Sequence, residues 1–202
     1  MNEALATQKV NVDDTLRRAT IEVLRERGFA GLTLERVAEV SGRARSTLWR
    51  QGLTRDVLIE VLVGDLAADF RGTMYPVLTS GGTGRERLTL ALERLCELLD
   101  SHLPLMLATD EAFHQETGPG QPPDYLHPFI RFLREGAEDG SLPAIEDVVE
   151  TADVAFNAVA WPYVHLRGRH QWPAKLARER IVGVVLHGIA GPEPLPAARR
   201  RT

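Results

Sequence analysis

The chain has 202 residues, one cysteine, and 24 basic against 28 acidic side chains, a net charge of -4. That length supports one substantial core, or a small domain beside a larger one, while the acidic balance argues against nucleic-acid binding through bulk positive charge. The lone Cys96 excludes an intrachain disulfide and a cysteine-cluster metal site, and its apolar surroundings mark it as buried packing.

Residues 1–12 read as a disordered N-terminal arm. The most informative stretch runs from Thr33 to Arg55. The Thr33 hydroxyl is placed to cap a helix running through Val40, with Leu34, Val37 and Ala38 on its inner side. Ala38 is small, as a close helix crossing requires, and Gly42 supplies a tight turn. A second helix from about Ala44 to Gln51 would point Ala44 and Leu48 inward and Ser46, Thr47 and Arg50 outward, with Arg45 and Trp49 on the flank.

This is the pattern of a helix-turn-helix, in which an exposed helix enters the DNA major groove. A solvated basic face is the plainer alternative. Charge favours the front of the chain: there are 10 basic and 7 acidic residues up to Arg55, and 14 against 21 beyond it. Lysine occurs only at Lys9 and Lys175, so arginine abundance is a habit of the whole chain and is not itself evidence for DNA.

Beyond this segment the chain reads as helix throughout, with no sustained strand alternation. A long helix is predicted from Thr54 toward Tyr75, its stripe being Val57, Leu58, Val61, Leu62, Leu66 and Phe70, broken at Pro76 and the glycines that follow. Further helices are predicted at Arg85–Ser101, Leu105–Glu116, Asp124–Asp139, Ala144–Val164 and Pro173–Ile189. A loop separates the second and third of these at Thr117–Pro123, and Pro162 predicts a kink or early stop. The tail at 192–202, with its prolines and Arg199-Arg200-Arg201, reads as disordered. No apolar run reaches the roughly 18 residues of a bilayer span and no secretory leader is evident, so a cytoplasmic protein without a membrane partner is expected.

The sequence resembles the TetR family of bacterial transcriptional regulators. The likeness is carried by Leu16, Ala19, Ile21 and Leu24 with Glu26-Arg27-Gly28-Phe29, then by Thr33, Val37-Ala38, Ser41-Gly42, Thr47-Leu48-Trp49 and Thr54-Arg55. It implies an all-α protein: a three-helix helix-turn-helix domain at 13–55, then a larger helical domain for ligand binding and dimerisation at 56–191. By the same resemblance Thr33, Trp49 and Arg55 contact phosphates of a double-stranded operator, and Arg45, Ser46, Thr47 and Arg50 lie in the groove.

Two positions depart from the family pattern. Arg43 stands where valine usually packs, and Gly52 where an apolar residue usually anchors the recognition helix. Gly52 predicts a loosened helix end, with Trp49 and Leu53 refilling the space; an outward Arg43 would add positive charge near the duplex.

The resemblance further implies a homodimer and an unidentified small-molecule effector, with no cofactor. The last two helices are the expected dimer surface, through Val154, Ala155, Ala158 and Val159 and through Ile181, Val184, Val185 and Ile189; ordinary core is the alternative for each. A ligand pocket is expected among His102, Met106, Phe113, Tyr125, Phe129, Phe132, Phe156 and Trp161. The effector would act through the helix from Thr54 as a lever, changing the spacing of two recognition helices.

An enzyme is disfavoured, because no metal-ligand histidine pair, phosphate loop or nucleophile elbow appears. His165 and His170, five apart, are poorly spaced as ligands on one helix. The closer rival is a helical ligand-binding or interaction protein of the same fold that has lost operator binding through Arg43 and Gly52.

Overall fold

The structure is a computed structural model describing residues 12–113 and 125–190. Its helices are α1 (Asp14–Arg27), α2 (Leu34–Ser41), α3 (Arg45–Arg50), α4 (Arg55–Leu78), α5 (Gly84–Ser101), α6 (Leu103–Phe113), α7 (His127–Glu138), α8 (Val148–Gly168) and α9 (Ala174–Ala190). Among the described residues there is no strand, no cluster of metal-binding side chains, and no helix long and apolar enough to cross a membrane.

The described residues form two units. The first runs to Ala68 and takes in the segment from Pro104; the second holds Asp69–Leu103 and the residues from Tyr125 onward. α4 thus gives its first half to one unit and its second half to the other. The first unit is larger than the segment 13–55, because Leu58 and Leu62 of α4 and Leu105 and Ala108 of α6 share its core with Leu16, Val23, Leu32, Val37, Leu48 and Leu53.

α1 begins where the Asp13 carboxylate accepts hydrogen bonds from the N-H groups of Thr15 and Leu16, both at 3.1 Å. The Arg17 guanidinium ties α1 to α4 by donating from Nε to Asp65 at 2.7 Å. Val12, assigned above to the N-terminal arm, is buried in this core and its carbonyl accepts from Arg17. Its apolar side chain gains more from burial than a free arm would. The remainder of that arm, the loop at 117–123 and the tail at 192–202 lie outside the described residues.

α5 organises the second unit. Its N-terminus carries a capping box, the Thr83 hydroxyl accepting from the Glu86 N-H while the Glu86 carboxylate accepts from the Thr83 N-H. The start of α5 also lies against α7 backbone to backbone: a Cβ on Gly84 would stand 2.1 Å from the Gly136 nitrogen. Beyond α7, the Asp139 carboxylate accepts from the Gly84 N-H at 2.7 Å and from the Ser141 N-H at 2.9 Å.

Ion pairs join the same helix to each neighbour: Arg87 to Glu135 of α7, Asp100 to Arg167 of α8 at 2.5 Å, and Glu97 to Arg178 of α9. The interior between them is apolar, with Leu88, Leu92, Leu95, Phe129, Phe132 and Val159 buried. Cys96 is buried too, and desolvation pushes its thiol up to about 12, which suits packing and not redox chemistry.

Two prolines do not stop their helices. Pro76 lies inside α4, which runs on to Leu78, and Pro162 lies inside α8, which continues to Gly168. Each removes one backbone hydrogen bond. Met74 and Val77 beside the first, and Tyr163 and Val164 beside the second, are buried and hold the turns in place.

The Ser141 hydroxyl, with the N-H groups of Gly84 and Ser141, holds the Asp139 carboxyl below its ordinary 3.8. A group depressed in this way contributes stability that is complete above the unfolded value and is lost as pH falls through the folded one. Between about pH 5 and pH 3, the melting temperature of the Asp139→Asn variant should therefore fall less steeply than that of the parent chain. Parallel melting curves would refute the assignment.

Candidate nucleic-acid interface

α2 starts at Thr33, whose extended backbone (φ -127°, ψ 153°) lets its hydroxyl accept from the Arg36 N-H at 3.4 Å. Val37 and Ala38 are buried. At the far end Gly42 adopts φ 69°, and the Gly42 and Arg43 N-H groups donate back to the Glu39 and Ala38 carbonyls at 3.2 and 2.9 Å. Only a residue tolerant of the left-handed region turns the chain this sharply.

α3 is one and a half turns long and is fixed at both ends by its flanks. Ala44 precedes it with extended backbone (φ -71°, ψ 128°) and no side-chain cap. Ala44 is therefore exposed, contrary to the inward position expected of it, because it stands before the helix and does not share its inner face. Leu48 alone among the helix residues is buried, with no exposed surface.

The helix ends at Gln51. Gly52, at φ 76°, donates its N-H to the Trp49 carbonyl at 3.0 Å, and the Leu53 N-H reaches the Leu48 carbonyl at 3.1 Å. This pair of bonds is a Schellman closure, with Leu53 and Leu48 as its buried apolar contact. Gly52 thus closes the helix through backbone hydrogen bonds. Of the two residues expected to refill the space, Leu53 is fully buried but Trp49 is 70% exposed, so Leu53 alone serves.

Burial of Leu48 turns the rest of α3 outward. Arg45, Ser46, Trp49 and Arg50 are exposed and Thr47 is half-buried. Arg45 forms an ion pair with Glu35 of α2, its Nε 2.6 Å from Oε1. The Glu35 carboxyl is held below its ordinary value by its own backbone N-H, by the Arg45 charge and by the Thr33 hydroxyl. Arg50 makes no ion pair among the described residues. Arg55, the first residue of α4, lies with its guanidinium carbon 4.5 Å from the Phe29 ring centre, and its Nε lies 3.4 Å from Asp56.

Arg43 turns toward α1, where it donates to Asp13 Oδ2 at 2.6 Å. Its charge is spent on the cap of α1, not on the outer face. Sequence reasoning missed the partners Asp13, Phe29 and Glu35. Each lies on another element, and its only sequence signal is an acidic or aromatic residue close to the motif.

The candidate ligand residues fall in several places. Tyr125, Phe129 and Phe156 come together with Phe70, which was not anticipated: Phe70 to Tyr125 is 4.8 Å edge-on, Tyr125 to Phe156 is 6.1 Å stacked, and Phe129 to Phe156 is 5.6 Å edge-on. Phe129 and Phe132 are wholly buried, and the latter lies under the Arg87 guanidinium. Tyr125, Phe156 and Trp161 are half-buried, while His102 is paired with Asp69 at 2.9 Å. Met106 is half-buried in the first unit, and the side chain of Phe113 lies outside the described residues.

The candidate dimer residues divide by helical face. Val154 and Val184 are exposed at 63% and 74%, and Ala158, Val185 and Ile189 are half-buried. Ala155, Val159 and Ile181 are buried within their own unit, where the helical repeat turns them inward. An open groove between α8 and α9 is lined by Val154, Ala158, Val185 and Ile189, with Glu146 and Glu150 at its acidic end. His165 and His170, dismissed as ligands on spacing, have ring centres 4.9 Å apart because the chain turns after α8.

No protein-family model matches the sequence, and no curated protein is similar to it. Solved structures are. FadR from Bacillus subtilis in complex with stearoyl-CoA superposes with a TM-score of 0.69 over 87% of this chain and 98% of that one, at 18% identity. The TetR family transcriptional regulator PfmR from Thermus thermophilus gives 0.70 over 87% and 98%, at 13% identity. The fold is that of the TetR regulators. A TetR/AcrR family regulator from Thermobifida fusca agrees at 0.64, covering 86% of this chain and 95% of its own, with 18% identity.

Replacing Gly52 by alanine forces a side chain into the left-handed region, at a cost of about 1–2 kcal/mol. Urea unfolding of the Gly52→Ala variant should show a loss of that size. An unchanged midpoint would mean that the glycine does not close α3.

Proposed function

We propose that this chain is a ligand-responsive TetR-family transcriptional repressor that binds its operator as a homodimer. The observation that carries the reading is α3: with Leu48 buried, it offers Arg45, Ser46, Trp49 and Arg50 to solvent on one short helix. Arginine forks suit guanine edges or phosphates, while a hydroxyl and an indole N-H suit the backbone. Thr33 and Arg55, at the starts of α2 and α4, are the proposed flanking phosphate contacts. Arg43 and Gly52 both have structural work in holding the motif, which removes the reason for favouring a protein that has lost DNA binding.

Homodimerisation is assigned to the outer face of α8 and α9, where Val149, Val154 and Val184 leave large apolar side chains in water. The groove that Val154 lines with Ala158, Val185 and Ile189 is where the same helices of the second copy are proposed to pack.

Binding to the DNA upstream of the chain's own gene, measured across a salt series, tests the reading. Specific affinity should fall steeply with salt, at a logarithmic slope of about -0.9 per phosphate contact. Arg45→Ala should relax base preference at one position, and Arg55→Ala should weaken binding to every sequence alike. Equal weak binding of the parent chain to all sequences would defeat the regulator.

The effector is proposed to be an apolar small molecule that engages the Phe70, Tyr125 and Phe156 rings. Stearoyl-CoA, bound by the Bacillus subtilis neighbour, is the first compound to titrate. A compound that quenches the intrinsic fluorescence of the chain should also release operator DNA. Unchanged DNA affinity at saturation with a bound compound would exclude the switch.

A further inference from the structure

Among the described residues, the large apolar side chains left exposed in the first unit are Val40 and Trp49, and both lie in the helix-turn-helix. Trp49 is the more exposed, at 70%, and its indole has no ring, cation or hydrogen-bond partner among the described residues. A side chain left in water adds little to the core, so folding does not account for its place. A phosphate contact accounts for one edge of it only: the indole has a single N-H donor and no acceptor, and the rest of its surface is apolar.

α3 sets where that surface lies. Leu48 is sealed in the core, and the Trp49 carbonyl accepts from the Gly52 N-H at 3.0 Å, which fixes the backbone that carries the indole. Trp49 follows Arg45 by four residues, so the two stand one above the other on the same helical face. A helical side chain leans over the turn before its own Cα. The indole is thereby carried toward the start of α3, the end that meets base edges in a helix-turn-helix. In the major groove the apolar group on a base edge is the thymine methyl.

We propose that Trp49 is a specificity residue that reads thymine, the apolar face of its indole packing on the 5-methyl group in the major groove. This deepens the DNA-binding reading above and rests on it. Packing the methyl on the indole removes apolar surface of both from water, and the other three bases present no methyl there. The N-H stays available to a phosphate, so general affinity and base preference come from different parts of one side chain.

The test uses the full chain and a duplex selected by it from a randomised library. Each thymine of the selected site is replaced in turn by deoxyuridine, which pairs identically and lacks only the methyl group, and dissociation constants are measured. The parent chain should lose about fourfold in affinity at one thymine of a half-site, the size expected for one buried methyl group. Trp49→Ala should bind the thymine and deoxyuridine duplexes equally at that position. Trp49→Phe keeps an aromatic face without the N-H; it should bind more weakly overall yet still prefer thymine there.

A selected site without thymine, or equal binding of thymine and deoxyuridine duplexes by the parent chain at every position, overturns the proposal and leaves the regulator standing, with the indole against the sugar-phosphate wall. So does a thymine preference that survives in Trp49→Ala, which assigns the methyl to another side chain. If the parent chain selects no sequence at all, the DNA-binding reading falls and this inference falls with it.

Discussion

Everything outward-facing on α3 depends on the burial of Leu48. A helix of six residues is far below the length at which a helix persists alone in water. It exists here because Leu48 is sealed into the core formed by α1, α2, α4 and α6, and because Gly52 and Leu53 close its end. One apolar contact thereby sets which side chains reach solvent. A different rotation of α3 about its axis would bury Trp49 and present another face.

The charged residues around the motif extend this logic. Asp13 caps α1 and also receives Arg43, so one carboxylate secures both a helix start and the turn that leads into α3. Arg17 and Asp65 fasten α1 to α4 in the same unit. These exposed pairs contribute modestly to stability; what they supply is orientation, of the turn before α3 by Arg43 and of α1 against α4 by Arg17.

The helical class and most helix positions were legible in the sequence, because they rest on local patterns: the Thr33 cap, the Gly42 turn, and the apolar repeats of α4 and α5. Errors arose where the deciding partner was distant. Arg43 looked like a misplaced charge until Asp13, thirty residues earlier, was seen beside it. Gly52 looked like a missing anchor, yet the anchor had moved one residue on to Leu53. Trp49 was also named to refill the space left by Gly52, although its place on the flank of α3 already pointed it away from Leu48. Pro76 was read as a breaker and Pro162 as a kink or an early stop; both helices run on, because burial of the neighbours outweighs one lost hydrogen bond. Glu35 could not be read at all, since nothing in a linear pattern links it to Arg45. In the second unit, composition identified the aromatic residues but not which would meet, and Phe70 joins the group from a helix read only as a connector.

The contact of Gly84 with Gly136 bears on how the second unit can move. Helix interfaces usually adjust by changing side-chain rotamers, but two glycine backbones in contact have none to change. With Asp139 also clamped to the start of α5, the separation of the two helices here is set by backbone against backbone. A side chain at Gly84 would force them apart, so this seam fixes how closely α5 and α7 can lie.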